Sequence, residues 1–365
     1  MDNTNNCALN DYFVPDLIED SISQIRFYPN PQINVFATGG WDKKIRIWNV
    51  NYQVQNTLSQ TQSAQITSSL AHSDQVDSPI LSVCWQGQTQ NVFCGCTDGS
   101  IIQINAQNKT KNILSKHADG CKDLVYSSNL NVLFSGGWDG KLNIWDLRSQ
   151  NPVLSYQFNN KIYTMSLANN LLVVGCSDRV VAYFNLAKLQ MNQFTPEAVF
   201  NSHLNYQTRR VCCFPNGLGY AIGSIEGRIA IKNVNFNMIP KIDVNTKNCT
   251  HELDFAFRCH RVKVSGVDDV YPVNDIAFNP QHGTFASCGG DGSYVMWDKE
   301  SKSRLKQGNM QQGWPLTALD YSMNGDLLAY AVGYDWAKGV GEAGKIQPKV
   351  GIHYLQSQEK LPKKK

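Results

Sequence analysis

The residue types in this chain that could carry covalent chemistry are His117, Ser135 and Asp139. Together they could supply a serine nucleophile, its general base and the acid that orients it. A second possibility lies in the eleven cysteines, whose close pairs are Cys94/Cys96 and Cys212/Cys213. Zinc needs ligands spaced to close a tetrahedron, and no CxxC spacing occurs, so neither a metal nor any other cofactor is expected. A third is recognition by charge. In "GSIEGRIAI", Gly223 to Ile231, Arg228 opens an apolar strand where a fixed cation has no structural reason to be. The chain also holds no GxSxG elbow, no Walker loop and no HExxH, so an enzyme is not expected.

The nucleophile reading fails because the acid of the set is not unique. An apolar run, two small residues, an acid-bearing turn and alternating apolar residues ending in an aromatic recur along the chain. They appear as "VFATGGWDKKIRIWN" (Val35 to Asn49), "VFCGCTDGSIIQIN" (Val92 to Asn105) and "LFSGGWDGKLNIWD" (Leu133 to Asp146). "LVVGCSDRVVAYFN" (Leu172 to Asn185), "GYAIGSIEGRIAIKN" (Gly219 to Asn233) and "TFASCGGDGSYVMWD" (Thr284 to Asp298) follow. A degraded seventh copy runs from "LLAYAVGYDWAKG" across an insertion to "KVGIHYL". Catalysis needs one site, whereas the turn acids Asp42, Asp98, Asp139, Asp178, Glu226, Asp291 and Asp335 form a series.

The elements that position these residues follow from the period. The acids step by roughly 40 residues with loops inserted, and the apolar residues alternate with period two, as half-buried strands require. This is the pattern of an all-β, seven-bladed WD-repeat β-propeller with four strands per blade. Within it His117, Ser135, Asp139 and Trp145 form an internal hydrogen-bond network: acid to histidine, histidine to hydroxyl, hydroxyl to indole. Such a chain satisfies buried polar groups inside one blade. The seventh blade lacks an outer strand, and Tyr12 to Leu17 is expected to supply it and close the ring. The resulting division is a flexible N-terminus at 1–10, one propeller at 11–356 and a basic disordered tail at 357–365. Mobile insertions are expected at about 53–75, rich in Ser, Thr and Gln, and at 236–270.

Composition supports a large buried core, with 42% hydrophobic and 17% charged residues. The net charge of +3 is too mild for a nucleic-acid coat, so any basic surface must be local. No run of 18 apolar residues appears and the start, "MDNTNNCALNDYF", is not a secretory signal. The cysteines are therefore expected as reduced core residues in cytosol or nucleus. Two local clusters stand out: Arg258, His260, Arg261 and Lys263, and the run Lys299, Lys302, Arg304 and Lys306. Cations at alternating positions after a strand line one face and could grip phosphates or an acidic chain. Trp41, Trp138 and Arg228 occupy equivalent turns, which a propeller gathers on one face; exposed Trp and Arg are enriched in binding hot spots. Trp138 fits packing between blades equally well.

"GYAIGSIEGRIAI", "FAFRCHR", "VYPVNDIAFNPQHGTFASCGGDGSYVMWDKESKSRLK" and "YDWAKG" resemble the mRNA export factors of the nuclear pore. The resemblance runs from Asp11 onward. "SIEGR" and "CHR" are shared with a sister family, the budding-uninhibited type of mitotic-checkpoint WD-repeat protein, while "YDWAKG", "IQPKV" and "LPKKK" resemble the export side. The resemblance implies a non-enzymatic adaptor, monomeric within a heteromeric complex, that shuttles between nucleus and cytoplasm and works at the nuclear pore in the nuclear envelope. Its top face would receive an acidic hairpin-forming segment of a nucleoporin. Arg228 would meet paired glutamates, Trp41 would offer an apolar platform beside it, and Arg258 would stand where the family has lysine. Lys299, Lys302, Arg304 and Lys306 match an edge that contacts RNA, or ribonucleoprotein, and viral proteins that mimic it. The sister family implies the alternative, a spindle-checkpoint adaptor holding a checkpoint kinase and reading phosphorylated kinetochore motifs.

Overall fold

Each repeat closes into a four-stranded antiparallel sheet, here called strands a to d from the inside outward. The computed structural model describes residues 11–363 apart from 57–61, 150, 192, 237–240, 243–248, 251–252 and 311–312. Seven such sheets occur, and the expected flexible segment 1–10 lies outside the described residues. Strands a are Ile22–Phe27, Ile80–Trp85, Cys121–Ser127, Ile162–Ala168, Thr208–Cys213, Val273–Phe278 and Leu316–Tyr321. Each touches the strand a of the next blade, and the last touches the first, which makes the ring.

The two small residues of the repeat have a steric cause. A Cβ on Gly39 would stand 2.5 Å from Ile80 Cγ2, and one on Gly136 2.7 Å from Ile162 Cγ2. Glycine at the end of strand b lets strand a of the following blade approach. Apolar residues on both faces of strand b then fill the wedge between blades. Leu171–Cys176 and Leu327–Val332 are buried at every position. Burying one such side chain stabilises the fold by about 1.5–3 kcal/mol.

Polar side chains on the inner strands tie blade to blade. Gln24 accepts the Val83 N–H at 2.6 Å, Asp123 the Met165 N–H at 2.8 Å, and Thr164 the Val211 N–H at 3.1 Å. Asp275 accepts from Leu319 at 3.2 Å and Asp320 from Phe27 at 2.7 Å, across the seam between the last and first blades. Arg210 bridges two of these carboxylates, with Nη1 at 3.0 Å from Asp123 and Nε at 2.9 Å from Asp275. Burial pushes the carboxyls of Asp123 and Asp275 upward, and that of Asp320 to about 6, against the pull of the neighbouring cations.

The outer strand of blade seven comes from the N-terminal segment, as Tyr12–Phe13 pairs antiparallel with Lys349–Tyr354. It is shorter than the expected Tyr12 to Leu17. After the Val14 N–H donates to Val350 O at 3.0 Å the ladder stops, because Pro15 has no N–H to continue it. Three other expectations are corrected. Within 53–75, outside residues 57–61, the chain is not a loose insertion. Lys44–Asn56 and Gln62–Gln75 extend strands c and d of blade one into a long paired ribbon. Within 236–270, Phe255–Arg258 is strand d of blade five, and Arg261–Val264 pairs with Val267–Val270 in a small hairpin. The tail at 357–365 is not disordered where it is described: Ser357–Lys360 forms a helical turn with Glu359 buried.

That turn and the N-terminal segment meet on one imidazole. His353 donates from Nδ1 to Asp11 at 2.7 Å and from Nε2 to Glu359 at 3.0 Å, while Tyr330 donates to Asp11 at 2.7 Å. Burial pulls the His353 pKa down, but the two carboxylates overcome it and push the ring up to about 9. A histidine raised on folding contributes stability that is complete below its unfolded value near 6.5 and lost as pH rises through about 9. Between pH 6 and 9.5 the chain is therefore expected to lose roughly 2–3 kcal/mol from this group. Denaturant titrations at both pH values check it. The difference should disappear in His353→Gln, and an equal drop in that variant would locate the pH dependence elsewhere.

Candidate interaction faces

The Ser/His/Asp set lies inside blade three. His117 Nδ1 is 3.1 Å from both Asp139 oxygens, its Nε2 is 2.7 Å from Ser135 Oγ, and Trp145 Nε1 donates to Ser135 at 2.7 Å. All four side chains are occupied with one another, and Ser135 is fully buried. Burial holds His117 below its ordinary pKa, with Asp139 acting against that shift. Blade six repeats the arrangement. His260 bonds Asp291 at 2.9 Å and Ser287 at 2.8 Å, and Trp297 donates to Ser287 at 2.9 Å. His260 therefore leaves the basic cluster in which the sequence places it. The signal that could have found it is its position, one loop ahead of a b strand carrying Ser287, as His117 stands ahead of Ser135.

Turns between strands b and c and the loops entering strands a share one face, the top. Glu226 is held as a turn acid, accepting the Asn205 N–H at 2.9 Å. Arg228 begins the next strand, one-third exposed, with its Nε 3.6 Å from Glu226, too long for a good hydrogen bond. Strand d of the same blade ends at Arg258, which stands directly opposite Arg228 in the register and is exposed. Like charges facing each other across a strand pair are destabilising, and a carboxylate seated between them relieves that cost. Arg261 is anchored to the Glu226 carbonyl at 2.9 Å and closes the site from behind.

Trp41 is 43% exposed on the turn of blade one. It does not lie beside Arg228. Blades one and five are three steps apart around the ring, so Trp41 stands on the same face but across the ring from the arginines. Trp138 is covered instead, lying against Gly120 with Lys161 over its ring at 5.9 Å. Among the exposed apolar side chains on this face that the sequence missed are Tyr206, Ile225 and Trp336. Each sits in a turn whose blade was already identified, but nothing in period or composition marks its exposure. It also missed the channel mouth. Every strand a carries a bulge one residue from its start, turning Ser23, Leu81, Lys122, Tyr163, Arg209, Asn274 and Thr317 out of the ladder. Lys122 and Arg209 make the rim cationic.

On the edge of blade six the basic run divides. Lys302 and Arg304 are exposed. Lys302 lies over the Phe255 ring at 4.8 Å, beside the partly buried pair Phe257 and Trp297 with centroids 4.8 Å apart. Lys299 lies over Phe214 at 5.0 Å and pairs with Glu300, and Lys306 pairs with Glu359 at 2.5 Å. The structure thus brings two of the four expected cations to solvent and engages the other two. No group of His, Cys, Asp or Glu that could hold a metal occurs among the described residues.

Residues 18–49, 108–146 and 255–298 match the family model for the WD domain, G-beta repeat. The Poly(A)+ RNA export protein of Schizosaccharomyces pombe is 34% identical over 95% of this chain and 91% of its own length. The mRNA export factor GLE2 of Chaetomium thermophilum is 32% identical over 94% and 90%. The mitotic checkpoint protein bub3 of Dictyostelium discoideum is 32% identical over 93% of both chains.

Proposed function

The chain belongs to the mRNA export factor family of WD-repeat propellers, and from that premise we propose that it acts in mRNA export as a non-enzymatic adaptor at the nuclear pore. Its top face takes an acidic, hairpin-forming segment of a nucleoporin, and the edge of blade six takes single-stranded RNA. The observation that carries this reading is the Arg228–Arg258 pair, two cations opposed on neighbouring strands, with Glu226 3.6 Å from the first of them. Exposed Trp41 and Trp336 on the turns of blades one and seven, with Tyr206 and Ile225 on blade five, support a segment long enough to cross the channel mouth. Lys122 and Arg209 on the rim add charge of the same sign along that path. For RNA the support is Lys302 and Arg304 beside the rings of Phe255 and Phe257, a backbone contact next to a stacking surface.

The similarity to the Dictyostelium checkpoint protein favours a second reading, an adaptor for a checkpoint kinase that reads phosphorylated kinetochore motifs. Both readings place an acidic segment on the arginine pair and differ in who carries it. Affinity purification of the tagged chain from interphase cells separates them. A nucleoporin is expected as the main co-purifying partner, recovered together with RNA. A checkpoint kinase in its place, without nucleoporin, would replace the first reading by the second.

A further inference from the structure

We propose that the C-terminal segment, residues 356–363, is a docked part of the RNA surface and supplies a phosphate contact that blade six alone does not make. The inference rests on the RNA reading given above and assigns a role to residues outside the repeats.

The segment "QSQEKLPK" carries a single acid, Glu359, and that acid is fully buried while Ser357, Gln358 and Leu361 to Lys363 are exposed. A buried carboxylate is tolerated only when paired and hydrogen-bonded. Here Lys306 lies 2.5 Å from one oxygen, His353 donates to the other at 3.0 Å, and the Gln356 N–H adds a third contact at 2.8 Å. Lys306 is thereby spent on the tail and its charge is cancelled at the surface. Past the helical turn the chain stays on blade six. Thr284 donates to the Lys360 carbonyl at 2.8 Å, the Lys363 N–H donates to Asp298 at 3.0 Å, and Lys363 Nζ donates to the Arg304 carbonyl at 3.1 Å. Lys363 thus stands on the turn that carries Lys302 and Arg304, and Asp298 beneath them is quenched by Lys363 and Glu300 N–H groups and the Ser301 hydroxyl. The edge exchanges a cation paired with Glu359 for one whose ammonium rests on a backbone carbonyl, and the acid is what holds the exchange in place.

Charge counting and docking make opposite predictions, which gives the test. Binding of labelled single-stranded poly(U) to the full-length chain is measured across a salt series. Lys363→Gln and Lys109→Gln, the latter an exposed lysine of blade two, change net charge equally. Lys363→Gln alone should lower the salt slope by about 0.7 and weaken binding roughly three- to fivefold near 0.1 M salt, the share of one phosphate contact. Glu359→Ala adds positive charge and frees Lys306, so counting gives tighter binding; loss of the docked tail gives weaker binding by a comparable factor. Retained binding of an acidic peptide on the top face verifies that this variant is folded. Equal effects of the two lysine variants, or tighter binding by Glu359→Ala, overturn the role of the tail and leave the RNA reading standing. Absence of salt-dependent binding by the unmodified chain removes both.

Discussion

Arg228→Glu is expected to weaken binding of an acidic hairpin peptide by at least about 100-fold and to leave thermal stability within roughly 0.5 kcal/mol of the parent. The guanidinium stands at the end of a strand whose neighbours on both sides are fixed by the sheet, so its position is set before the partner arrives. Glu226 lies 3.6 Å away, and its other oxygen is engaged with the Asn205 N–H. Losing one member of a desolvated charge pair costs about 2–5 kcal/mol, and about 3 kcal/mol corresponds to the stated factor. Reversal also puts a carboxylate where the partner's carboxylates must sit. In the free chain the same change replaces an Arg–Arg opposition by an Arg–Glu one, which is why stability should not fall. Arg228→Lys keeps charge but loses the planar fork, and an intermediate loss is expected. Isothermal titration with the peptide and a thermal melt check both halves. Parent-like affinity would remove the arginine pair from the site, and a collapsed melting temperature would make it a structural residue.

Arg210→Met is expected to destabilise the chain by about 3–5 kcal/mol, the largest effect of any single change considered. The side chain is nearly buried and bridges Asp123 and Asp275, which belong to blades three and six and are themselves almost inaccessible. Those carboxylates also receive backbone N–H groups of blades four and seven, so they cannot turn away to find water. Methionine fills similar space but removes the bridging charge from two buried anions, leaving Lys122 and Arg26 as their neighbouring cations. Their pKa values are already raised by burial, so they take up protons readily once the guanidinium is gone. The deficit should therefore shrink as pH falls toward about 5, a dependence that a simple packing defect lacks. Denaturant unfolding at neutral and acidic pH measures both. A loss below about 1 kcal/mol, or one independent of pH, would mean that the bridge is dispensable.

How much of this was legible in the sequence differs from residue to residue. The turn acids announce themselves because each closes the same turn with the same neighbours, so repetition fixes seven sheets and the face on which Arg228 lies. The acid carboxylates of the ring, Asp123, Asp275 and Asp320, announce nothing. Each sits in a different blade and finds its partners in other blades, from 42 residues away for Asp123 to 293 for Asp320, where no local period reaches. The ribbon of blade one was misread for a related reason. Its Ser, Thr and Gln are polar on both faces, so the alternation that identifies a strand is missing, although backbone pairing alone carries the ribbon outward. The tail was misread because its lysines outweigh one glutamate in composition, while in space that glutamate decides where the lysines go.

The borrowed strand of blade seven has a consequence for the order in which the molecule can be made. Tyr12–Phe13 leaves the ribosome long before its partner Lys349–Tyr354 and the segment that meets it at His353. Until that partner emerges the nascent chain can complete at most six sheets and carries an unpaired first strand, so nothing can latch the seventh. Closure of the ring thus joins two segments made far apart in time. A ribosome stalled before Lys349 would carry an open crescent whose exposed edges invite chaperones, rather than a slightly shorter version of the finished ring.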